Sequence, residues 1–379
     1  MTHMSSEKMT ALDHPNTLVG YYEQLPPSVI EEIALNQIMR DNITDPRLRL
    51  WLDEDFLLSY ATLFAIGKKE GHRRPQPHTM HRGVVFKLLQ ESRPFIDEFG
   101  VCFGEIGAKG TGMTVNGENF YRSNQTEPLG FFGRADALQE QEISDKFAEL
   151  GGRGGRVLAI ISINHKNFLE WFEEKDKGDS FYEAASMLKK VENNGDQAAI
   201  CVRLLGTERI EDLWRASFSG DGLFSVARQL QRAASLLSFE ITNRSREGFL
   251  DYYQLEGKGR SIEEHLLEIA SGKPNRENLI TLYFLQLYFI NYNYRIEQLL
   301  SERNYGGQLT HPGNFQNFDS AGFIYDWETS LPASGYIPND AALPGLGDIL
   351  SIVYKTTYGL DDIDAQIEKL VKSDQVGIG

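Results

Sequence analysis

The sequence is poor in cysteine. Only Cys102 and Cys201 occur in 379 residues, too few for a disulfide framework or a zinc cluster. The pair fits a reducing compartment. Basic residues are also in deficit: 38 Lys and Arg stand against 54 Asp and Glu, a net charge of -16. Such a chain repels a nucleic-acid backbone, which excludes nucleic acid as its main partner. A local basic pocket for one nucleotide is still compatible with that balance. No apolar run reaches the roughly 18–20 residues of a membrane span. The N-terminal stretch MTHMSSEKMTALDHP lacks the apolar core of a signal peptide. The expectation is a cytoplasmic protein with no membrane partner.

Hydrophobic residues make up 41% of the chain, enough for a sizeable core. The length suits two or three domains or one two-lobed body. Apolar residues at three-and-four spacing predict helices in SVIEEIALNQIMRDN and DEDFLLSYATLFAIG, within residues 28–67. The basic stretch KKEGHRRPQPHTMHR breaks the pattern and reads as a solvated loop. A Gly-punctuated section with β-type residues follows, EFGVCFGEIGAKGTGMTVNGENFYRS. Next comes a helix, GRADALQEQEISDKFAELGG, with Gly151 and Gly152 as its C-cap. RVLAIISI and QAAICVRLLG read as strands, the first nearly all apolar and so buried.

After about residue 206 the pattern turns helical, in GLFSVARQLQRAASLLSFEITNR and ENLITLYFLQLYFINYNYRIEQLLSER. The stripe of Tyr283, Phe284, Tyr288, Phe289 and Tyr292 reads as core. The order of elements predicts an α+β, two-lobed protein. Its expected parts are a helical N-terminal extension over 1–95, a β-rich lobe over 96–205 and a helical lobe over 206–379. The last carries a hairpin at 311–328.

That hairpin lies in GGQLTHPGNFQNFDSAGFIYDWETS, residues 306–330. Pro312 and Gly313 suit the two central positions of a type II turn. FQNF and GFIYDW are short strand candidates joined by Asp319, Ser320, Ala321 and Gly322. Asn314 and Asp326 are equidistant in sequence from Ser320. A regular hairpin centred there sets them opposite each other, with Cα atoms about 4.5–5.5 Å apart. Two oxygen-bearing side chains at that separation suit one Mg²⁺, which prefers oxygen ligands. The alternative is a surface hairpin in which Asp326 pairs locally.

HPGN followed by DWE resembles the catalytic and metal loops of the protein-kinase-like superfamily, including kinases of the aminoglycoside phosphotransferase type. The segments before it are similar to those of selenoprotein O, a kinase-like family that transfers AMP to proteins. KGTGMT from Lys109 resembles that family's Lys-Gly-x-Gly-x-Thr. ALQEQEISDKFAELGGRGGRVLAII follows its helix, Leu-Gly and strand, with Glu140 at the helix Glu. CVRLLGTER supplies Arg203 and Arg209. NYGGQLTHPGN ends at the matching Asn. The resemblance covers roughly residues 100–330.

The resemblance implies a protein-kinase-like two-lobed fold, with a β-rich N-lobe and a helical C-lobe, that takes ATP with Mg²⁺ or Mn²⁺. Lys109, paired with and aimed by Glu140, would meet the phosphates. Gly110 and Gly112 would admit phosphate to backbone N–H groups. Arg203 and Arg209 would donate to phosphate oxygens. Asn314 and Asp326 would hold the metal. The implied reaction is transfer of AMP to a hydroxyl of a protein or small molecule.

Two other readings stay open: the HPGN…DWE hairpin also suits a γ-phosphate kinase acting on a small molecule or peptide, and two departures suit an inactive nucleotide-binding module. Leu309 stands where a kinase keeps its carboxylate base, and Gly313 where selenoprotein O keeps an Asp. His311 is the candidate replacement, since imidazole titrates near neutral pH. Taken singly, each of these features is ordinary; the order Lys109, Glu140, Arg203, Asn314, Asp326 sets them apart.

Overall fold

RVLAIISI and AAICVRLL form two neighbouring antiparallel strands, β10 (Arg156–Ile163) and β11 (Ala198–Leu205), and every residue of both is buried. Buried strands need hydrogen-bonded partners along their outer edges, because an unpaired buried backbone group is costly. That requirement organises the first part of the protein. The structure, a computed structural model, describes residues 20–42, 57–58, 60–66, 76–77, 83–87, 94–111, 132–175, 188–189, 191–193, 195–207, 209–218, 222–243, 261–302, 318–325 and 346–373. It is a mixed α+β protein that divides into two units. Unit 1 comprises Met1–Leu88, Glu105–Asp145 and Arg156–Leu205; unit 2 comprises Leu89–Gly104, Lys146–Gly155 and Gly206–Gly379.

In unit 1 a seven-stranded antiparallel sheet runs β2 (Ile30–Leu35), β10, β11, β8 (Glu105–Lys109), β5 (Gly83–Lys87), β4 (Gln76–Pro77). The short β9 (Phe132–Gly133) also pairs with β11. A separate two-stranded sheet joins β1 (Gly20–Gln24) to β3 (Thr62–Ile66). Helix α1 (Gln37–Asn42) follows β2, α2 (Arg134–Glu149) precedes β10, and α3 (His165–Lys175) follows it. Ala137 of α2 packs with Phe132 and with Val157, Ile160, Ala199 and Cys201 on one sheet face. The predicted helix over 134–149 and the two predicted strands are therefore present. The expected C-cap is there too, with Gly151 at φ 86° and the N–H of Gly152 bonded to the Phe147 carbonyl.

The helical N-terminal extension expected over 1–95 is a correction. Residues Ile30–Leu35 are a strand on the edge of β10; the stretch is helical only in a 3-10 turn at Pro27–Val29 and in the α-helix Gln37–Asn42. Thr62–Ile66, within the second expected helix, is also a strand, and Gln76–Pro77, inside the expected loop, pairs with β5. The reason is tertiary. β10 needs a second edge partner, and Ile30 and Ile33 are as suited to a pleated strand as to a helix face.

Asn36 closes this junction. Its Oδ1 accepts from the Met39 N–H at 3.1 Å, capping α1. Its Nδ2 donates to the Asp145 carboxylate at 3.0 and 3.1 Å and to the Val157 carbonyl at 2.9 Å. Arg156 donates to Asp145 from Nη2 at 2.8 Å and from Nε at 3.1 Å. All three side chains are buried.

Unit 2 contains a small hairpin, β6 (Phe95–Ile96) with β7 (Cys102–Phe103), and helices α4 (Ile210–Ser217), α5 (Gly222–Asn243), α6 (Ile262–Ala270), α7 (Arg276–Glu302), α8 (Leu346–Tyr358) and α9 (Ile363–Ser373). A Ser261–Glu264 capping box starts α6. The aromatic stripe on α7 is split between two roles. Tyr283 and Phe289 are core, whereas Tyr288 and Tyr292 are half-buried and stack on each other with ring centroids 6.0 Å apart. At the centre lies Arg153. It is ion-paired with Glu240, and its guanidinium carbon lies 4.4 Å from the Phe289 ring centroid and 4.6 Å from that of Phe323.

Replacing Arg156 with Met should destabilise unit 1 by about 3–5 kcal/mol, because it strands a buried Asp145 charge. Urea unfolding followed by circular dichroism measures this. A loss under about 1 kcal/mol would show that the pair does not hold the junction.

Candidate functional site

β8 ends at Lys109, which lies directly across from Cys201 of β11, and Arg203 lies across from Gly107. Residues two apart in a strand share a face, so Lys109 and Arg203 project from the same face of adjacent strands. Gly107 adds no side chain there. One carboxylate on α2 meets both cations. Glu140 Oε2 lies 3.3 Å from Lys109 Nζ, and Glu140 Oε1 accepts from Arg203 Nη1 at 2.7 Å. The three residues are 6%, 2% and 5% exposed, so water screens these charges little. Lys109 Nζ also sits 4.3 Å from the centroid of the Phe132 ring, a cation–π contact.

The residue after Lys109 has to be glycine. Gly110 has φ 94°, and a Cβ there would fall 2.4 Å from the Ala199 carbonyl oxygen. The chain therefore turns out of β8 hard against the backbone of β11, which other residues would obstruct. Together, the two strands and α2 bring Lys109, Gly110, Glu140 and Arg203 to one place.

Arg209 falls in unit 2. It is 2% exposed, it forms an antiparallel bridge with Asp319, and its guanidinium carbon is 5.7 Å from the Tyr325 ring centroid. Gly112, His311, Asn314 and Asp326, like Leu309 and Gly313, lie outside the described residues. Phe318–Tyr325 is the described part of the hairpin. Phe318 pairs with Ile324, which centres the turn on Ala321 and not on Ser320 as the count across the sequence predicts. The deciding residue is Asp319. Its carboxylate accepts from the N–H groups of Ala321 at 2.8 Å, Phe323 at 2.9 Å and Thr207 at 2.7 Å, and from the Tyr325 hydroxyl. The Gly206 N–H in turn donates to the Tyr325 oxygen at 2.8 Å.

Asp319 belongs to no site motif, although an Asp two residues before an Ala-Gly turn is the signature of an Asx-turn. Phe132 carried no signal either, since only the β9–β11 pairing brings its ring beneath Lys109. Among the described residues no group of three or more His, Cys, Asp and Glu could hold a metal ion. No described helix is long and apolar enough to cross a membrane. Comparison with protein-family models, curated proteins and solved structures gives no significant match.

Burial pushes the Asp319 carboxyl up to about 6, although the hydrogen bonds from Tyr325, Phe323, Thr207 and Ala321 oppose the shift. The sign follows from linkage. The folded protein holds this proton more tightly than the unfolded chain, so the neutral form's contribution is complete below about pH 4. It is lost as pH rises through about 6. Wild type should therefore lose on the order of 2–3 kcal/mol relative to Asp319→Asn between pH 4 and pH 7. Parallel urea titrations of both proteins across that range check this; a pH-independent difference would contradict it.

Proposed function

We propose that the chain is an ATP- and Mg²⁺-dependent transferase of the protein-kinase-like superfamily, with a two-lobed fold, and that it moves AMP from ATP to a hydroxyl of a protein or small molecule. The observation that supports this best is the Lys109–Glu140 pair, a strand lysine held by a helix glutamate. Kinases use that combination to aim an ammonium at nucleotide phosphates. Gly110 and Arg203 stand beside it in unit 1, and they fit a phosphate chain by backbone approach and by guanidinium donation.

In this reading Lys109, Gly110, Gly112, Arg203 and Arg209 bind the nucleotide, and Asn314 and Asp326 hold Mg²⁺ or Mn²⁺. A metal held there would supply neutralisation of phosphate charge. The acceptor oxygen bonds to the α-phosphorus, pyrophosphate leaves, and His311 takes the hydroxyl proton. Leu309 and Gly313 remove the two usual acids, but such transfers rely mainly on positioning and charge stabilisation.

The test uses ATP labelled at the α or the γ phosphate, with Mg²⁺ or Mn²⁺, the protein and a cell lysate as the acceptor source. The α label should move to an acceptor. Transfer of the γ label alone would make the chain a kinase instead, and ATP binding without any transfer would favour the inactive module. Lys109→Met should reduce the rate of α-label transfer by about 10²–10³-fold, the usual loss for one preorganised charge donor. Undiminished turnover in the variant would end the assignment of Lys109.

A further inference from the structure

Thr111 follows the Lys109–Gly110 turn, and it is 0% exposed. Its hydroxyl is buried and finds no hydrogen-bond partner among the described residues. Polar atoms in a folded interior are almost always satisfied, so a buried hydroxyl in that state is a candidate for a partner from outside the chain. Gly110 before Thr111 is pinned, with the Ala199 carbonyl 2.4 Å and the Phe132 Cβ 3.0 Å from where a Cβ would stand. Two residues back is the buried Lys109 ammonium, and the Arg203 guanidinium meets the same Glu140 carboxylate. A donor that none of the described residues satisfies, two residues along the chain from a buried ammonium, suits an oxygen-rich anion that arrives from outside.

We propose that the Thr111 hydroxyl is a ligand-binding group that donates a hydrogen bond to a phosphate oxygen of ATP bound against Lys109. This rests on the nucleotide reading above and adds to it the residue that the site leaves unsatisfied until phosphate is present. The cost of burying the hydroxyl falls on the empty protein, and the phosphate removes it.

Two measurements on Thr111→Val test this, with Thr111→Ser as the control that keeps the hydroxyl. Valine has threonine's shape without the donor. The nucleotide-free variant should melt about 2 °C higher than wild type, because an unsatisfied polar group has been removed. Its affinity for Mg²⁺–ATP, measured by calorimetry, should fall about tenfold, the loss of one charge-assisted hydrogen bond. Thr111→Ser should bind within about threefold of wild type. Wild-type affinity in Thr111→Val would overturn this inference and leave the nucleotide reading standing. A lower melting temperature in the valine variant would also overturn it, by showing that the hydroxyl already has a bond within the chain. No saturable binding of Mg²⁺–ATP by wild type would end the nucleotide reading, and this inference with it.

Discussion

Glu140 is the point on which unit 1 turns. Removing a carboxylate and two cations from water costs several kcal/mol for each ion, and only close pairing recovers it. Lys109, Glu140 and Arg203 are all nearly inaccessible and meet within 3.3 Å. The pairing is possible only because β8 and β11 are neighbours in register and α2 lies over the same face. The sheet order, the seating of α2 and the burial of this cluster are therefore one constraint seen from three sides.

The same solution recurs for other buried cations. Arg156 is met by Asp145 and Asn36 in unit 1, and Arg153 by Glu240 and two aromatic rings in unit 2. In each case the carboxylate comes from a helix, α2 or α5. A buried ion pair made this way adds little net stability, but breaking it is costly. Asp319 plays a related part in its loop, satisfied by backbone N–H groups and a tyrosine hydroxyl.

Some of this was legible in the residues. The helix over 134–149 announces itself by its two closing glycines, and β10 by an almost wholly apolar run. The Lys109–Glu140 pair was reached through a family resemblance, and nothing in the spacing of the two residues requires it. Other parts were not legible. Ile30–Leu35 carries a pattern equally good for a helix, and its strand conformation follows from the open edge of β10. The turn at Asp319 sits one residue from where symmetry of the sequence would set it, because the carboxylate captures the N–H groups of Ala321 and Phe323.

The sequence by itself determined the mixed α+β class and the burial of RVLAIISI. Those properties depend on local pattern and on the solubility of side chains, which need no knowledge of distant neighbours. Tertiary structure alone decided that residues 30–35 become a strand, that Phe132 lies under Lys109, and that Glu140 answers Arg203 as well as Lys109. Each of these depends on a hydrogen-bond edge or a charge supplied by a segment far away in the chain. The energy of such a contact exceeds the few tenths of a kcal/mol by which local propensity prefers one conformation over another.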